Sequence, residues 1–174
     1  LRIKLDGNFF EALVFRRSPA ELIVKSGDIC SLMVSLNINV YRNKTSVSII
    51  ISDIHRNGFE QDKYFAALNS FEAYSRGEKL PVAYYKAMLP DRNSAAEIYK
   101  LIPSCGINTN VLYFRLNNPK INFCRFCIAL EAMVQLGLIE ISYSDSIVRR
   151  LKATHKTDFN SAPVIEDIKS LSVS

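Results

Sequence analysis

Tryptophan is absent from the 174 residues, Gly and Pro number only 6 each, and there are 4 Cys and 2 His. So little Gly and Pro excludes collagenous and low-complexity chains, which live on those residues. Four Cys with no secretory leader do not make a disulfide framework. They point instead to free thiols in a reducing compartment, the cytoplasm by default. His55 and His155 stand alone, so the clustered His and Asp ligands of a two-metal hydrolase are missing from the sequence. Long apolar runs are missing too. The charge-free stretch Ile29 to Tyr41 alternates with Ser and Asn, and it falls short of the roughly 20 apolar residues that a membrane span needs. What remains, 48% hydrophobic against 22% charged residues, is a globular chain able to bury a core.

Lys and Arg exceed Asp and Glu by 22 − 17, a formal net charge of +5. That balance suits a polyanionic partner, and it equally suits a mildly basic solvated surface. The excess is divided between the ends: residues 1–58 carry 8 basic and 5 acidic groups, residues 59–80 carry 3 and 4, and residues 81–174 carry 11 and 8. The opening Leu1–Asp6 has neither an initiator Met nor the apolar centre of a signal peptide. It reads like the interior of a strand, so the chain is expected to be a piece of a longer protein.

From Arg2 to Ile54 the pattern has period 2, as in strands with one buried face. Leu32, Val34, Leu36, Ile38 and Val40 fall on one side, with Met33, Ser35, Asn37, Asn39 and Tyr41 on the other. Arg42-Asn43-Lys44-Thr45 supplies a turn, after which Val47, Ile49 and Ile51 resume the alternation. Upstream, Asp6-Gly7-Asn8 joins Arg2–Leu5 to Phe9–Phe15. Four antiparallel strands are expected over residues 1–58. Between Phe59 and Lys79 the period becomes helical, with Tyr64, Ala67, Leu68, Phe71 and Tyr74 on one face. Gly77 to Pro81 then breaks the helix, so residues 59–80 read as a connecting helix and linker, with the boundary near Leu80.

Residues 81–174 predict helices over Ser94–Ile102, capped by Asp91 or Asn93 with Pro103 near its end, over Asn108–Leu116, and over Asn122–Leu136, stopped by Gly137. A hairpin, Leu138–Tyr143 and Ile147–Ala153, turns at Ser144-Asp145-Ser146. A final helix opens near Ser161 and Pro163. Three helices, a hairpin and a closing helix resemble a winged-helix domain. The fold class expected is therefore α+β, a partial OB-like antiparallel sheet followed by a winged-helix-like α/β domain.

Cys124-Arg125-Phe126-Cys127 has the spacing of a zinc or redox pair. Zinc needs two further ligands that Cys30, Cys105, His55 and His155 do not supply as a second pair. A redox site places its first Cys at a helix start directly after a strand. Buried structural thiols are the reading that remains, and no metal site is expected. Arg149, Arg150 and Lys152, followed by His155 and Lys156, gather on the second hairpin strand and its exit. In a DNA-binding winged helix that wing grips phosphates while the third helix enters the major groove. Here the third helix is largely apolar and carries Glu131, so a protein-docking role stands beside a DNA-reading one.

The segment Leu36-Asn37-Ile38-Asn39-Val40-Tyr41-Arg42-Asn43-Lys44, followed by Val47 to Ile54 with its closing Asp53-Ile54, resembles the end of the OB-type domain of RecJ exonucleases. These are the bacterial enzymes specific for single-stranded DNA. Arg2–Leu5 and Glu11–Phe15 are similar to earlier strands of that domain. Leu89-Pro90-Asp91-Arg92, Ile98-Tyr99, Leu136-Gly137-Leu138-Ile139 and Lys156 to Pro163 resemble the C-terminal extension of Gram-positive-type members. Asn43 stands where the family's turn carries Gly. The resemblance implies an accessory segment of a 5′-3′ exonuclease of DNA repair and recombination. The first OB strand would lie upstream, as would the phosphoesterase core that binds manganese or magnesium. No catalytic residue and no cofactor is then expected in this segment. It further implies contacts to single-stranded DNA through basic groups that follow phosphates and aromatics that stack on bases. The candidates are Arg16, Arg17, Lys25, Tyr41, Arg42 and Lys44, with Tyr41 expected to pack against the sheet. Arg149, Arg150 and Lys152 become candidates for docking the acidic C-terminal tail of single-stranded-DNA-binding protein. A freestanding docking or DNA-binding regulatory module is the alternative.

Overall fold

The computed structural model describes residues 1–152 and 157–173, Ala20 through its backbone alone. Contacts divide the chain into two units, Leu1–Phe59 and Glu60–Ser174, and the fold is mixed α+β. Among the described residues no helix is long and apolar enough to cross a membrane.

The first unit holds β1 (Arg2–Leu5), β2 (Asn8–Leu13), β3 (Cys30–Tyr41) and β4 (Lys44–Arg56). Both hairpins close through two-residue turns with positive φ throughout, Asp6 at 47° and Gly7 at 85°, Arg42 at 48° and Asn43 at 61°. This is the turn whose twist matches that of paired strands, and Asp, Gly and Asn tolerate it with little cost. The sheet order is β1-β2-β4-β3. The expectation of four antiparallel strands is corrected at one pair: β2 and β4 run parallel, with Ala12 beside Ile49 and Leu13 beside Ile50. The chain leaving β2 passes beyond its neighbour's place to lay β3 at the outer edge. The tight turn then returns β4 into the gap, running with β2.

The register slips in β4 where Met33 pairs with Asp53 and Val34 with Ile51, leaving Ser52 between them. This bulge keeps Ile51 and Ile54 on one face despite their odd spacing. They form the core of the unit with Ala12 and Leu22, and Ile3, Val14, Val24, Cys30, Leu32 and Ile49 pack around it. The same face continues along the hairpin through Leu36, Ile38, Val40 and Val47, which the described residues leave exposed.

The second unit begins with α1 (Gln61–Ser75), then α2 (Val82–Met88), α3 (Arg92–Leu101), β5 (Ile107–Asn108), α4 (Thr109–Leu116) and α5 (Phe123–Gln135). After these come β6 (Ile139–Ser142), β7 (Ile147–Arg150) and α6 (Pro163–Leu171). The strands form a small antiparallel sheet in the order β5-β7-β6. Helix α5 is its hub. Eight of its residues are buried: Phe123, Cys124, Phe126, Ile128, Ala129, Leu130, Ala132 and Met133. A helix apolar on nearly every side has to be surrounded, and α1, α2, α3 and α6 surround it.

The reading of residues 59–80 as a connector is revised here. Tyr64 of α1 meets Phe123 at 5.0 Å and Tyr113 at 5.7 Å between ring centroids. Ala67, Leu68, Phe71 and Tyr74 pack on the same core. The apolar stripe of α1 is thus part of the second unit, whose limit lies at Phe59/Glu60 and not near Leu80. Helix α2 escaped the pattern because seven residues give too few periods, although Tyr85 and Met88, three apart, supply its buried side.

Caps lie where side chains offer acceptors. Asn108 accepts from the amides of Asn110 and Val111, Asn122 from Arg125, and Asp91 from Ser94 at 2.7 Å. The Ser94 amide chiefly holds the Asp91 carboxyl below the usual range. Asp91→Ala is expected to lower stability by about 1 kcal/mol at neutral pH. A depressed folded-state pKa stabilises above the ordinary Asp value, and that stability is lost as pH falls through the depressed one. Urea melts of both proteins should therefore converge in acid.

Gly106, at φ +94°, lies between α3 and β5. A Cβ there would stand 2.7 Å from the Ile147 Cγ2 and 3.0 Å from the Arg149 side chain. Gly106→Ala is expected to cost about 2–3 kcal/mol, combining left-handed backbone strain with overpacking, as read by denaturant melts.

Candidate nucleic-acid interface

Alternation gives each strand of the first unit a core face and a solvent face. On β1 and β2 the core face holds Ile3 and Ala12, so Arg2, Lys4, Phe9 and Glu11 share the other. Lys4 pairs with Phe9 and Arg2 with Glu11 in the register. The Arg2 Cζ lies 4.3 Å from the centroid of the Phe9 ring and the Lys4 Nζ 5.8 Å from it. Phe9 is 58% exposed. An aromatic ring on a sheet surface, flanked by two cations, can stack on a base while the cations meet phosphates.

The tip of β3–β4 repeats this chemistry. Tyr41 pairs with Lys44, and the Arg42 Cζ lies 5.2 Å from the Tyr41 ring centroid. Tyr41 is 69% exposed, so the expectation that it packs against the sheet is corrected. As the last residue of an overhanging hairpin, it has no underlying layer to rest on. Counting outward from the core residue Ile49 puts Lys44, and with it Tyr41, on the solvent face that carries Phe9. Because β2 and β4 are parallel, both turns lie at one end of the sheet. From β1 across to β3 there are three strand spacings, about 14 Å, on the order of two or three nucleotides of an extended strand.

Arg16, at φ 57°, and Arg17 follow β2 in an exposed turn. Glu21 folds back on the Ser18 amide, which chiefly lowers its pKa, with Arg17 adding a smaller attraction. Lys25 is exposed, and its amide donates to the Asp28 carboxylate at 3.0 Å in the turn before β3. That turn is at the opposite end of β3 from Tyr41, eleven residues away or about 35 Å along the strand. The structure thus gathers Tyr41, Arg42 and Lys44 and leaves Lys25 far from them. Arg2, Lys4 and Phe9 were missed as sequence candidates. Placing the Asp6-Gly7 pair as a two-residue turn would have set Lys4 opposite Phe9.

In the second unit Arg149 and Arg150 alternate along β7 and face opposite ways. Arg149 pairs across with Glu140 and lies against Gly106. The Arg150 Cζ lies 5.6 Å from the Tyr99 ring centroid. Lys152 is exposed just beyond the strand, and His155 and Lys156 lie outside the described residues. These cations are not one patch. Nor can α5 enter a major groove, since it is enclosed by four other helices.

The Cys124 thiol donates to the Ala67 carbonyl at 2.8 Å, and burial pushes its pKa up to about 11. Burial pushes the Cys127 thiol up as well. Both are held as neutral thiols, far from the reactive thiolate form. Among the described residues no three His, Cys, Asp or Glu side chains converge as metal ligands. No protein-family pattern, curated protein or solved structure matches the chain.

Proposed function

We propose that this chain is an accessory segment of a RecJ-like, single-stranded-DNA-specific exonuclease. Its first unit is an OB-type platform that holds the single strand, and its second is a winged-helix-like domain for a repair partner. The observation that carries the reading is the shared solvent face of Arg2, Lys4, Phe9, Tyr41 and Lys44 at one end of a sheet. The connectivity supports it. Strands two to five of an OB barrel lie in the order 2-3-5-4 with strands three and five parallel, as β1-β2-β4-β3 do. The exposed row Leu36, Ile38, Val40 and Val47 occupies the face that a further barrel strand covers. In the second unit, helix, strand, two helices and hairpin, with β5 beside β7, follow the winged-helix order.

In this reading the manganese- or magnesium-dependent chemistry belongs to a phosphoesterase core outside these residues, and this segment supplies grip. The acidic tail of single-stranded-DNA-binding protein is the partner proposed for the second unit; Arg149, Arg150 and Lys152 are exposed and would meet it singly, since Arg149 and Arg150 face opposite ways. Titrating labelled single-stranded and duplex oligonucleotides into the chain tests the proposal. Tighter binding of the single strand, weakening with salt, is expected. Equal or tighter binding of duplex would overturn it.

A further inference from the structure

The second unit contains a cleft of about 180 Å³ between α1, α5, the start of α4 and the tip of the β6–β7 hairpin. Phe71, Phe123, Phe126, Cys127, Leu130 and Ile141 give it an apolar floor, and its polar margin includes Thr109, Ser146 and Glu131. A dry apolar cavity of about 150 Å³ accepts a benzene ring, so this volume suits one aromatic side chain.

The margin decides what accompanies the ring. Glu131 is the one Asp, Glu, Lys or Arg among the lining residues. Its carboxylate accepts from the Gln135 amide at 3.3 Å, and among the described residues no Lys or Arg forms an ion pair with it. The N-terminus of α4, which would draw an anion, is already engaged. The Asn108 side chain takes the amides of Asn110 and Val111, and the Thr109 amide donates to the Ser146 carbonyl at 2.9 Å. Neither Arg149 nor Arg150 reaches the lining.

We infer that this cleft is a docking site for a peptide segment that presents an aromatic side chain next to a positive charge, either a basic residue or a chain N-terminus. The ring fills the apolar floor and displaces water. The cation meets Glu131 at a partly buried margin, where attraction is screened less than at an open surface. An acidic segment of the same shape is rejected, because it would set a carboxylate beside Glu131. The site is independent of the first unit and of its DNA face.

The test uses the full chain and three small probes, followed by amide and side-chain NMR shifts at millimolar concentration. 2-Phenylethylamine carries ring and cation, 3-phenylpropionate carries ring and anion, and butylamine carries the cation alone. The amine with the ring should give saturable shifts at Thr109, Cys127, Leu130, Ile141 and Ser146. It should bind at least about fivefold more tightly than the acid, the span of one modest ion-pair contribution, and butylamine should give none of these shifts. Glu131→Gln, a near-isosteric change at a half-buried helix edge, should remove the preference for amine over acid while ring binding persists. Cys127→Leu, which fills the floor, should abolish binding by both aromatic probes. Equal affinity for amine and acid in the unaltered protein, or no saturable shift in the cleft with any probe, would overturn the proposal.

Discussion

Phe126→Ala is expected to destabilise the second unit by about 3–5 kcal/mol, the range for emptying a large aromatic site in a close-packed core. Phe126 is 1% exposed and sits in the first turn of α5, with Tyr113 at 5.2 Å and Phe123 at 6.2 Å between centroids. A helix enclosed by four others cannot collapse into the space without disturbing all of them. The same truncation at Ile38, 72% exposed on the hairpin, removes almost no contact and should cost less than about 0.5 kcal/mol. Thermal melts of the two variants should therefore separate widely. Hydrogen exchange should show the first unit, with four buried core residues against twenty-four in the second among the described residues, opening more readily.

The combined replacement of Arg2, Lys4, Arg42 and Lys44 by Ala should weaken single-stranded DNA binding about 100-fold at low salt. Four phosphate contacts on a single strand contribute about 0.7 each to the slope of log affinity against log salt, so the slope should fall by about 3. Phe9→Ala should behave differently. Losing one stacking ring costs about 1–3 kcal/mol of binding and leaves the salt slope unchanged. The fold should tolerate all five changes, because each of these side chains lies on the exposed face of its strand or turn. Anisotropy titrations across a salt series separate the two effects.

Periodicity showed which side of a strand each residue takes, and that much of the fold was legible. The two faces of β3 divide as their alternation indicated, and Asp91 and Gly137 end helices for the reasons their side chain and backbone suggest. Neighbours were not legible. Alternation is the same whether β4 lies beside β2 or beyond β3, so the parallel pair could not be read from residues 1–56. Nor does an apolar face reveal whether anything covers it. Leu36, Ile38 and Val40 have the pattern of core residues and are exposed. The stripe on α1 showed a buried face without saying in which unit. For the candidate site, the grouping of Tyr41, Arg42 and Lys44 at the hairpin tip was legible because they are neighbours in sequence around one turn. Arg2, Lys4 and Phe9 meet only through cross-strand register, which requires the turn to be placed to the residue. Cys124 and Cys127, chemically suggestive in sequence, proved to be packing groups on a buried helix.

The face that the first unit turns to solvent is tested most directly by mapping amide shifts as a short oligothymidine is added to the isotopically labelled chain. The account predicts that shifts concentrate at Arg2–Glu11 and at Asn39–Ser46, with ring protons of Phe9 and Tyr41 moving upfield as bases stack on them. Shifts confined to Arg149–Lys152, or a titration that leaves β1, β2 and the Arg42-Asn43 turn unmoved, would contradict it.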